Sequence, residues 1–309
     1  MGNYIIKRLF HSLLVLIGIT FIVFFLLYLS GNPVRLLMPP DATVEQLEAA
    51  RKELGFDDPF FMQYSRFLGK VIRLDFGKSL RRQLPVFEVI KPYFLNTLLL
   101  TTASFIIALV IAIPAGIFSA IKRDSIFDFL ISIGVLIGQA TPIFWLGIVF
   151  ILVFSVRLGW FPTGGFGYTR NLVLPAFTLA IFSTSRIARM SRSSMLEVLG
   201  QDYIRTARSQ GIRELLINFK YAFKNAAIPI VTLVGVEYCI LLEGAVLTEI
   251  IFSWPGVGRL VINSVYDRDY PVVQAIVILG TTIIVFANLG IDLLYTYLDP
   301  RIKYGKITK

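Results

Sequence analysis

One cysteine, Cys239, and one histidine, His11, are all that 309 residues contain of either type. A lone cysteine closes no disulfide within the chain, and so thin a supply of thiolate and imidazole builds no Cys/His metal cage. Charge is also scarce. Asp, Glu, Lys and Arg make up 16% of the residues, where soluble domains carry about a quarter. A complete phosphate loop is missing too. Gly77-Lys78-Ser79 looks like the tail of one, but the required first glycine is replaced by Ile72, and no strand precedes it. No nucleophile stands beside a base in a recognisable pattern, so the sequence offers no catalytic constellation.

What is abundant is apolar. Hydrophobic residues reach 56% and the mean hydropathy is +0.72. Apolar runs near the length needed to cross a bilayer, about 20 residues, recur along the chain, which points to an all-α integral membrane protein. The formal charge of +10 invites a nucleic-acid reading. The basic residues sit mostly in loops beside the apolar runs, however, and membrane topology explains that placement better.

Six spans are expected. Leu9–Leu29 is the first, too long for a signal-peptide core and without a small-residue cleavage site, so it reads as an uncleaved helix starting inside behind Lys7 and Arg8. Ser30-Gly31-Asn32-Pro33 ends it. The others run roughly over 98–121 with Pro114 inside, 129–156 containing Gln139-Ala-Thr-Pro142, 172–187 with Pro175, 226–251 and 272–298. Prolines within spans imply a bundle, where neighbours satisfy the freed carbonyls. Lys and Arg are concentrated after the fourth span (Arg189, Arg192, Arg205, Arg208, Arg213, Lys220, Lys224) and in the tail (Arg301, Lys303, Lys306, Lys309). That bias places both termini in the cytoplasm, N-in/C-in. The chain divides accordingly: residues 1–30 start the first helix, 31–95 form an extracytoplasmic helical segment, 96–298 the transmembrane core with a cytoplasmic loop at 190–225, and 299–309 a cytoplasmic tail.

Within 31–95, Thr43-Val-Glu-Gln46 reads as a capping box opening a short helix that Leu54-Gly55 closes. Asp58-Pro59 opens another, with Asp58 as cap. Phe60, Phe61, Tyr64, Phe67, Leu68 and Val71 follow at helical spacing.

The segment from Asp202 to Pro229 is too polar to lie in the bilayer. Leu196, Leu199, Tyr203 and Ala207 form a helical stripe, with Arg205 and Arg208 off it. Gly211 stops that helix. Leu215, Leu216, Phe219 and Phe223 mark a second, after which Asn225 caps the fifth span and Pro229 occupies its first turn. Two helices meeting at a glycine elbow suit a groove on another protein. They suit equally an anionic lipid surface, and the residues alone leave both readings open.

Taken together, these stretches resemble a known family. Asp202-Tyr-Ile-Arg-Thr-Ala-Arg-Ser-Gln-Gly211 with Lys224-Asn-Ala-Ala-Ile-Pro229 is similar to the cytoplasmic EAA loop of ABC importer permeases, in the branch for dipeptides, oligopeptides, glutathione and nickel. Tyr4-Ile-Ile-Lys-Arg8, Leu54-Gly-Phe-Asp-Asp-Pro59, Gln63-Tyr64, Asp75-Phe-Gly-Lys-Ser79, Phe252-Ser-Trp-Pro-Gly-Val-Gly258, Arg268-Asp-Tyr-Pro-Val-Val-Gln274 and Asp299-Pro-Arg301 fit the same family in register. Arg205-Thr206 stands where Glu-Ala is typical, and Gly211 to Pro229 is longer than the generic spacing; both departures are usual in the peptide/nickel branch. The resemblance implies a type I importer permease fold in a bacterial plasma membrane, as the larger-loop member of a pair of permeases. Its partners would be a second permease, two cytoplasmic ATPases that use ATP and Mg, and an extracytoplasmic binding protein. This chain would bind no cofactor or metal itself. The coupling residues so implied are Asp202, Tyr203, Arg205, Thr206, Ala207, Arg208, Gly211, Asn225 and Pro229.

Other positions bear on cargo. Glu237 and Glu243 lie inside the fifth apolar run, where a charge is costly unless it faces water or a partner. They are candidates for the translocation path, or else lie near the outer end of the span or bond within the dimer interface. Glu249 is expected at the outer surface, and Asp292 beside the basic tail. Trp254, Pro255, Gly256 and Gly258 break the chain before the last span, as an outer plug or docking element or as an interfacial tryptophan anchor. Arg186, Arg189 and Arg192 share a helix face at the inner end of the fourth span, chiefly as topology signal, with a gate-side role as the alternative. Short peptides are the expected cargo, with glutathione or a nickel or other metal chelate as the alternative. A secondary transporter or channel working without ATPases would show internal repeats and pore-lining charge pairs across several spans, and neither is evident; a structural membrane subunit of a larger enzyme would need cofactor ligands that one His and one Cys do not supply.

Overall fold

The computed structural model describes residues 2–29, 43–53 and 57–298. Twelve α-helices are found among the described residues: α1 Gly2–Leu29, α2 Val44–Glu53, α3 Phe60–Ile72, α4 Val86–Ile121, α5 Ile126–Ala140, α6 Ile143–Phe150, α7 Thr169–Leu199, α8 Asp202–Ser209, α9 Glu214–Leu216, α10 Phe223–Ile251, α11 Val257–Tyr266 and α12 Tyr270–Leu298. A π-helical turn, Ile151–Arg157, extends α6, and another, Ile217–Ala222, joins α9 to α10. Among the described residues, five stretches are long and apolar enough to cross a membrane: Ile6–Leu26, Val86–Ile121, Thr169–Leu199, Glu214–Leu242 and Tyr270–Ile291. A sixth is added if α5 and α6 with its π turn count as one span.

That pair differs from the straight helix expected over 129–156. It bends by 107° at Thr141-Pro142. A residue before proline is pushed out of the helical region, and Thr141 takes the extended conformation, φ −82° and ψ 126°. Its hydroxyl donates to the Ile137 carbonyl at 2.7 Å, supplying a donor to the helix end the proline interrupts. A second difference is the start of α4 at Val86, twelve residues ahead of the expected span.

Two compact units are distinguished, Met1–Phe94 with Leu260–Leu289, and Leu95–Arg259 with Gly290–Lys309. In the first, α3 lies against α1 through its aromatic stripe. Phe60, Tyr64 and Phe67 meet Phe21, Phe24, Phe25 and Tyr28 with ring centroids 5.1–6.0 Å apart, and the Tyr64 hydroxyl bonds that of Thr20 at 3.0 Å. The capping box on α2 forms as expected: Thr43 N donates to Gln46 Oε1 at 3.0 Å and Gln46 N to Thr43 Oγ1 at 3.3 Å. The cap of α3 is corrected. Pro59, not Asp58, precedes the first helical residue, because the Asp58 carboxylate turns to Arg66 instead. The closing Leu54-Gly55 lies outside the described residues.

Also in this unit, Asp75-Phe-Gly-Lys-Ser79 and Arg268-Asp-Tyr-Pro meet. The buried Asp269 carboxylate accepts from Ser79 Oγ at 2.5 Å and from the Leu80 amide at 2.9 Å. The Gly77–Val86 hairpin is thereby pinned to the start of α12, and Gly77-Lys78-Ser79 is its first arm, with Lys78 bridged antiparallel to Pro85.

In the second unit small residues let helices approach closely. A Cβ on Gly116 of α4 would lie 2.5 Å from Ala188 O of α7, and one on Gly138 of α5 would overlap Ser185 Oγ.

Candidate functional site

The expected loop begins with a break. Tyr203 and Ala207 do not continue the stripe of Leu196 and Leu199, since α7 ends at Leu199 and α8 starts at Asp202. Ile204 and Ala207 are buried in α8 and join Ile117 and Ala120 of α4, Met195 of α7, and Ile217, Ala222 and Ala226 of the following helix in one apolar cluster. The apolar face of α8 is therefore seated in its own subunit. Its polar face is open: Asp202 is exposed, the Arg205 side chain is 76% exposed with only a 3.7 Å contact to Asp202, and Thr206 bonds back to the Asp202 carbonyl at 3.1 Å. Arg208 pairs with Glu214 at 2.8 Å, across the elbow.

Gly211 closes α8 in a Schellman motif. The Ile212 amide donates to the Ala207 carbonyl at 3.2 Å and the Gly211 amide to Arg208 at 3.0 Å. Gly211 has φ +72°, and no atom lies within 4 Å of where a Cβ would stand, so its constraint is conformational rather than steric. Gly211→Ala is expected to cost about 1 kcal/mol locally. Hydrogen exchange should show about a fivefold loss of amide protection over α8, with Gly211→Asn closer to wild type because asparagine tolerates that conformation.

Two expectations about the second half of the loop are corrected. Helix continues from Glu214 through the π turn into α10, so Asn225 is no cap and Pro229 is inside a helix, not in its first turn. The Asn225 amide instead donates to Tyr203 Oη at 2.9 Å and to the Tyr221 carbonyl at 3.1 Å, tying α10 to α8.

Sequence reading passed over Asp128, which with Arg192 braces this cluster. Asp128, buried at the start of α5, receives Arg192 of α7 through two parallel bonds, Nε to Oδ1 at 2.7 Å and Nη2 to Oδ2 at 2.8 Å. Ser119 Oγ of α4 and the Asp124 amide, at 3.1 Å, also donate to it. The only signal for Asp128 was the spacing Ser125-x-x-Asp128, which does form a cap, Asp128 N to Ser125 Oγ at 3.3 Å. The arginine 64 residues away was not inferable from that.

Glu237, at the middle of α10, is 0% exposed. Its Oε2 accepts from Ser183 Oγ at 3.0 Å, and its Oε1 lies 3.0 Å from Arg186 Nε as an ion-pair contact rather than an aligned hydrogen bond. The side chains of Glu243 and Asp292 lie outside the described residues.

Glu249 is corrected from surface to core. It is 0% exposed and its carboxylate accepts from Thr97 Oγ1 at 2.6 Å and the Arg259 amide at 3.1 Å. The Trp254–Gly258 turn wraps it. Trp254 is 1% exposed, so it is no interfacial anchor; it packs with Leu100, Leu179 and Leu241, and its Nε1 donates to Asn96 O at 3.0 Å. Asn96 Nδ2 donates to the Pro255 carbonyl at 3.0 Å, and the Val257 amide to Thr97 Oγ1 at 2.8 Å. Gly256 and Gly258 admit no Cβ: one would overlap the Glu249 carboxylate, the other would lie 2.6 Å from Val246 Cα. The loop carrying Gly164, Gly165 and Gly167 lies on this turn, with the Gly165 amide bonded to Phe252 O at 2.8 Å. No group of three or more His, Cys, Asp or Glu suited to a metal occurs among the described residues.

Long apolar helices joined through a charged, exposed elbow define a polytopic membrane protein. Known proteins narrow this. The fold is similar to solved ABC transporters: the MetNI methionine ABC transporter in inward-facing conformations (TM-score 0.58, 19% identity, covering 68% of this chain and 96% of that one), and an amino acid ABC transporter with histidines (TM-score 0.52, 18% identity, 67% and 92%). Residues 112–304 match the binding-protein-dependent transport system inner membrane component family, and residues 1–101 its N-terminal membrane component. The chain belongs to this family, the multi-pass inner-membrane permeases of binding-protein-dependent ABC importers. Its relatives include the oligopeptide transport system permease protein AppB of Bacillus subtilis (41% identical, 98% of this chain and 100% of the relative) and the dipeptide transport system permease protein DppB of Alkalihalophilus pseudofirmus (39%, 97% and 99%). The glutathione transport system permease protein GsiC of Escherichia coli is 38% identical over 98% of this chain and all of its own length.

Proposed function

We propose that this chain is the larger-loop permease subunit of an ATP-driven importer of short peptides. It crosses the membrane six times, the bent α5–α6 pair being the third span, with both termini inside. A second permease completes the path, an extracytoplasmic binding protein delivers cargo on the side of residues 31–95, and two cytoplasmic ATPases hydrolyse ATP with Mg. The carrying observation is the seating of α8: Ile204 and Ala207 lie in a cluster shared by α4, α7 and α10, while Asp202, Arg205 and Arg208 face outward. A push on α8 by a docked ATPase is thus delivered to three spanning helices at once, as switching between two packed states requires. The lipid-surface reading is less favoured, since α8 has already buried the apolar face it would need in lipid.

Arg205→Glu tests this without touching the core. It is expected to leave the permease in the membrane at normal levels while cutting ATPase co-purification and ATP-dependent uptake at least tenfold. Unchanged uptake would refute docking on this face.

Peptide cargo is supported by relatives named for oligopeptides and dipeptides. Glutathione, itself a tripeptide, falls within that class. Direct binding of di-, tri- and pentapeptides, oxidised and reduced glutathione, and nickel–histidine complex to the cognate binding protein separates these; binding of the nickel complex alone would overturn the peptide reading.

A further inference from the structure

The open face of α7 has a composition that lipid does not tolerate. Phe182, Arg186, Arg189, Ser193 and Glu197 succeed one another at spacings of four, three, four and four, one helical face, and none of them is buried. The same face is closed toward the other end of the helix, where Asn171, Pro175 and Thr178 are buried. So one half of this face is packed inside the protein and the other half is open and charged.

Depth rules out a purely superficial position. Arg186 meets Glu237, which has fourteen α10 residues on either side of it, with helix continuing back to Glu214 on one side, so the pair lies about 20 Å or more from either end of the continuous helix. A guanidinium at that depth with its side chain 31% exposed faces water or protein, not acyl chains. Glu237 behind it and the Phe182 ring, 5.7 Å from its centre, hold it in place. Of the three arginines, Arg186 is matched by Glu237 and Arg192 by Asp128. Arg189 has no ion-pair partner among the described residues. It is exposed and borders an open cleft with Ile131, Ser132, Val135 and Leu136 of α5.

We infer that this face is the wall of the translocation path, and that Arg189 is the cation on it that receives a carboxylate of the passing peptide. The inference rests on the importer reading above and moves the path from Glu237, which is covered, to the arginines in front of it. Charge selects the ligand: an uncompensated guanidinium beside a serine hydroxyl and apolar wall suits a C-terminal or acidic side-chain carboxylate on an otherwise neutral chain. A phospholipid headgroup is disfavoured because Glu197 lies on the same face toward the helix end.

The test uses the whole transporter, with partner permease, ATPases and binding protein, in proteoliposomes, in a Cys239→Ser background. Arg189→Cys and Ser193→Cys should react with the cationic, membrane-impermeant methanethiosulfonate ethyltrimethylammonium added from the ATPase side. They should become at least tenfold slower to react when ATP and vanadate hold the assembly closed. Arg189→Gln should lower uptake of an acidic tripeptide about tenfold and of an analogue with both its side-chain and C-terminal carboxylates converted to amides less than threefold, with both peptides first shown to bind the binding protein. Labelling only by a lipid-soluble maleimide would assign the face to lipid and overturn the inference, as would equal uptake of both peptides by Arg189→Gln and wild type. If the unmodified transporter accumulates no peptide with ATP, the importer reading itself fails, which the wild-type control reports separately.

Discussion

Asp128→Ala is expected to destabilise the protein by about 3–5 kcal/mol, the range for removing one partner of a buried ion pair. Four donors converge on this carboxylate: two from Arg192, the Ser119 hydroxyl and the Asp124 amide. Alanine satisfies none of them. The Arg192 side chain, 32% exposed, would keep its charge against the apolar flank of α7 without a counter-ion. The Asp124 backbone, held at φ +60°, would lose the acceptor that stabilises that unfavourable turn. Because Ser119 is next to Ala120 and Arg192 is three residues from Met195, both in the cluster beneath α8, the loosened turn should also free α8. Asp128→Asn keeps shape but offers one acceptor oxygen to a two-pronged donor, so an intermediate loss is expected. Asp128→Leu with Arg192→Met should recover most of the stability, since it leaves no orphaned charge. Thermal unfolding of the detergent-solubilised assembly checks the order: wild type and the double apolar variant most stable, Asn between, Ala least. An alanine variant within about 1 kcal/mol of wild type would show that the pair does not hold the α4–α5 turn to α7.

What could be read in the sequence followed from short-range chemistry. The reciprocal bonds of Thr43 and Gln46, the aromatic face of α3 and the stop at Gly211 are each determined by residues within a few positions of one another. The apolar runs also announced themselves, although Pro142 turned one of them through 107°. A span with an internal proline reads the same whether the helix continues, as at Pro175, or breaks, as at Pro142. The outcome depends on whether neighbours accept a straight continuation. Asn225 and Pro229 were misplaced for a related reason: cap-forming residues also occur inside a helix when a wide turn carries it through. The acids were the least legible part. Glu249, Asp269 and Asp128 stand respectively 152, 190 and 9 residues from the hydroxyl each one accepts. A lone carboxylate in an apolar stretch signals that it has a partner but not which one. Each of the three also lies close to a non-glycine residue with positive φ, Ser253, Arg268 or Asp124, so strained turns and buried acids occur together, and composition shows neither.

Gly256→Ala and Gly258→Ala should each abolish accumulation of folded protein, and the two should differ in whether a second change restores it. At Gly256 the obstacle is a side chain. The new methyl would overlap the Glu249 carboxylate, which Thr97 and the Arg259 amide hold in place, so it cannot swing aside without breaking both bonds. At Gly258 the nearest atom is the Val246 Cα, with its Cβ and Cγ2 only slightly farther, so α10 and the turn after it touch backbone to backbone. Truncating Glu249 to alanine removes the first obstacle outright, at the expense of leaving the Thr97 hydroxyl and the Arg259 amide without their acceptor, a loss of about 1–3 kcal/mol per orphaned group. In that background Gly256→Ala should add little, and a double-mutant cycle should give a favourable coupling of more than about 1 kcal/mol. Val246→Ala removes the γ-methyls but leaves Cα and Cβ in place, so Gly258→Ala should remain as damaging with it as without it. Membrane-fraction yield and detergent melting temperature of the four single variants and two doubles decide the matter. Equal rescue at both positions would mean that the turn is held by side-chain packing alone, and no rescue at Gly256 would mean that Glu249 is not what the missing Cβ makes room for.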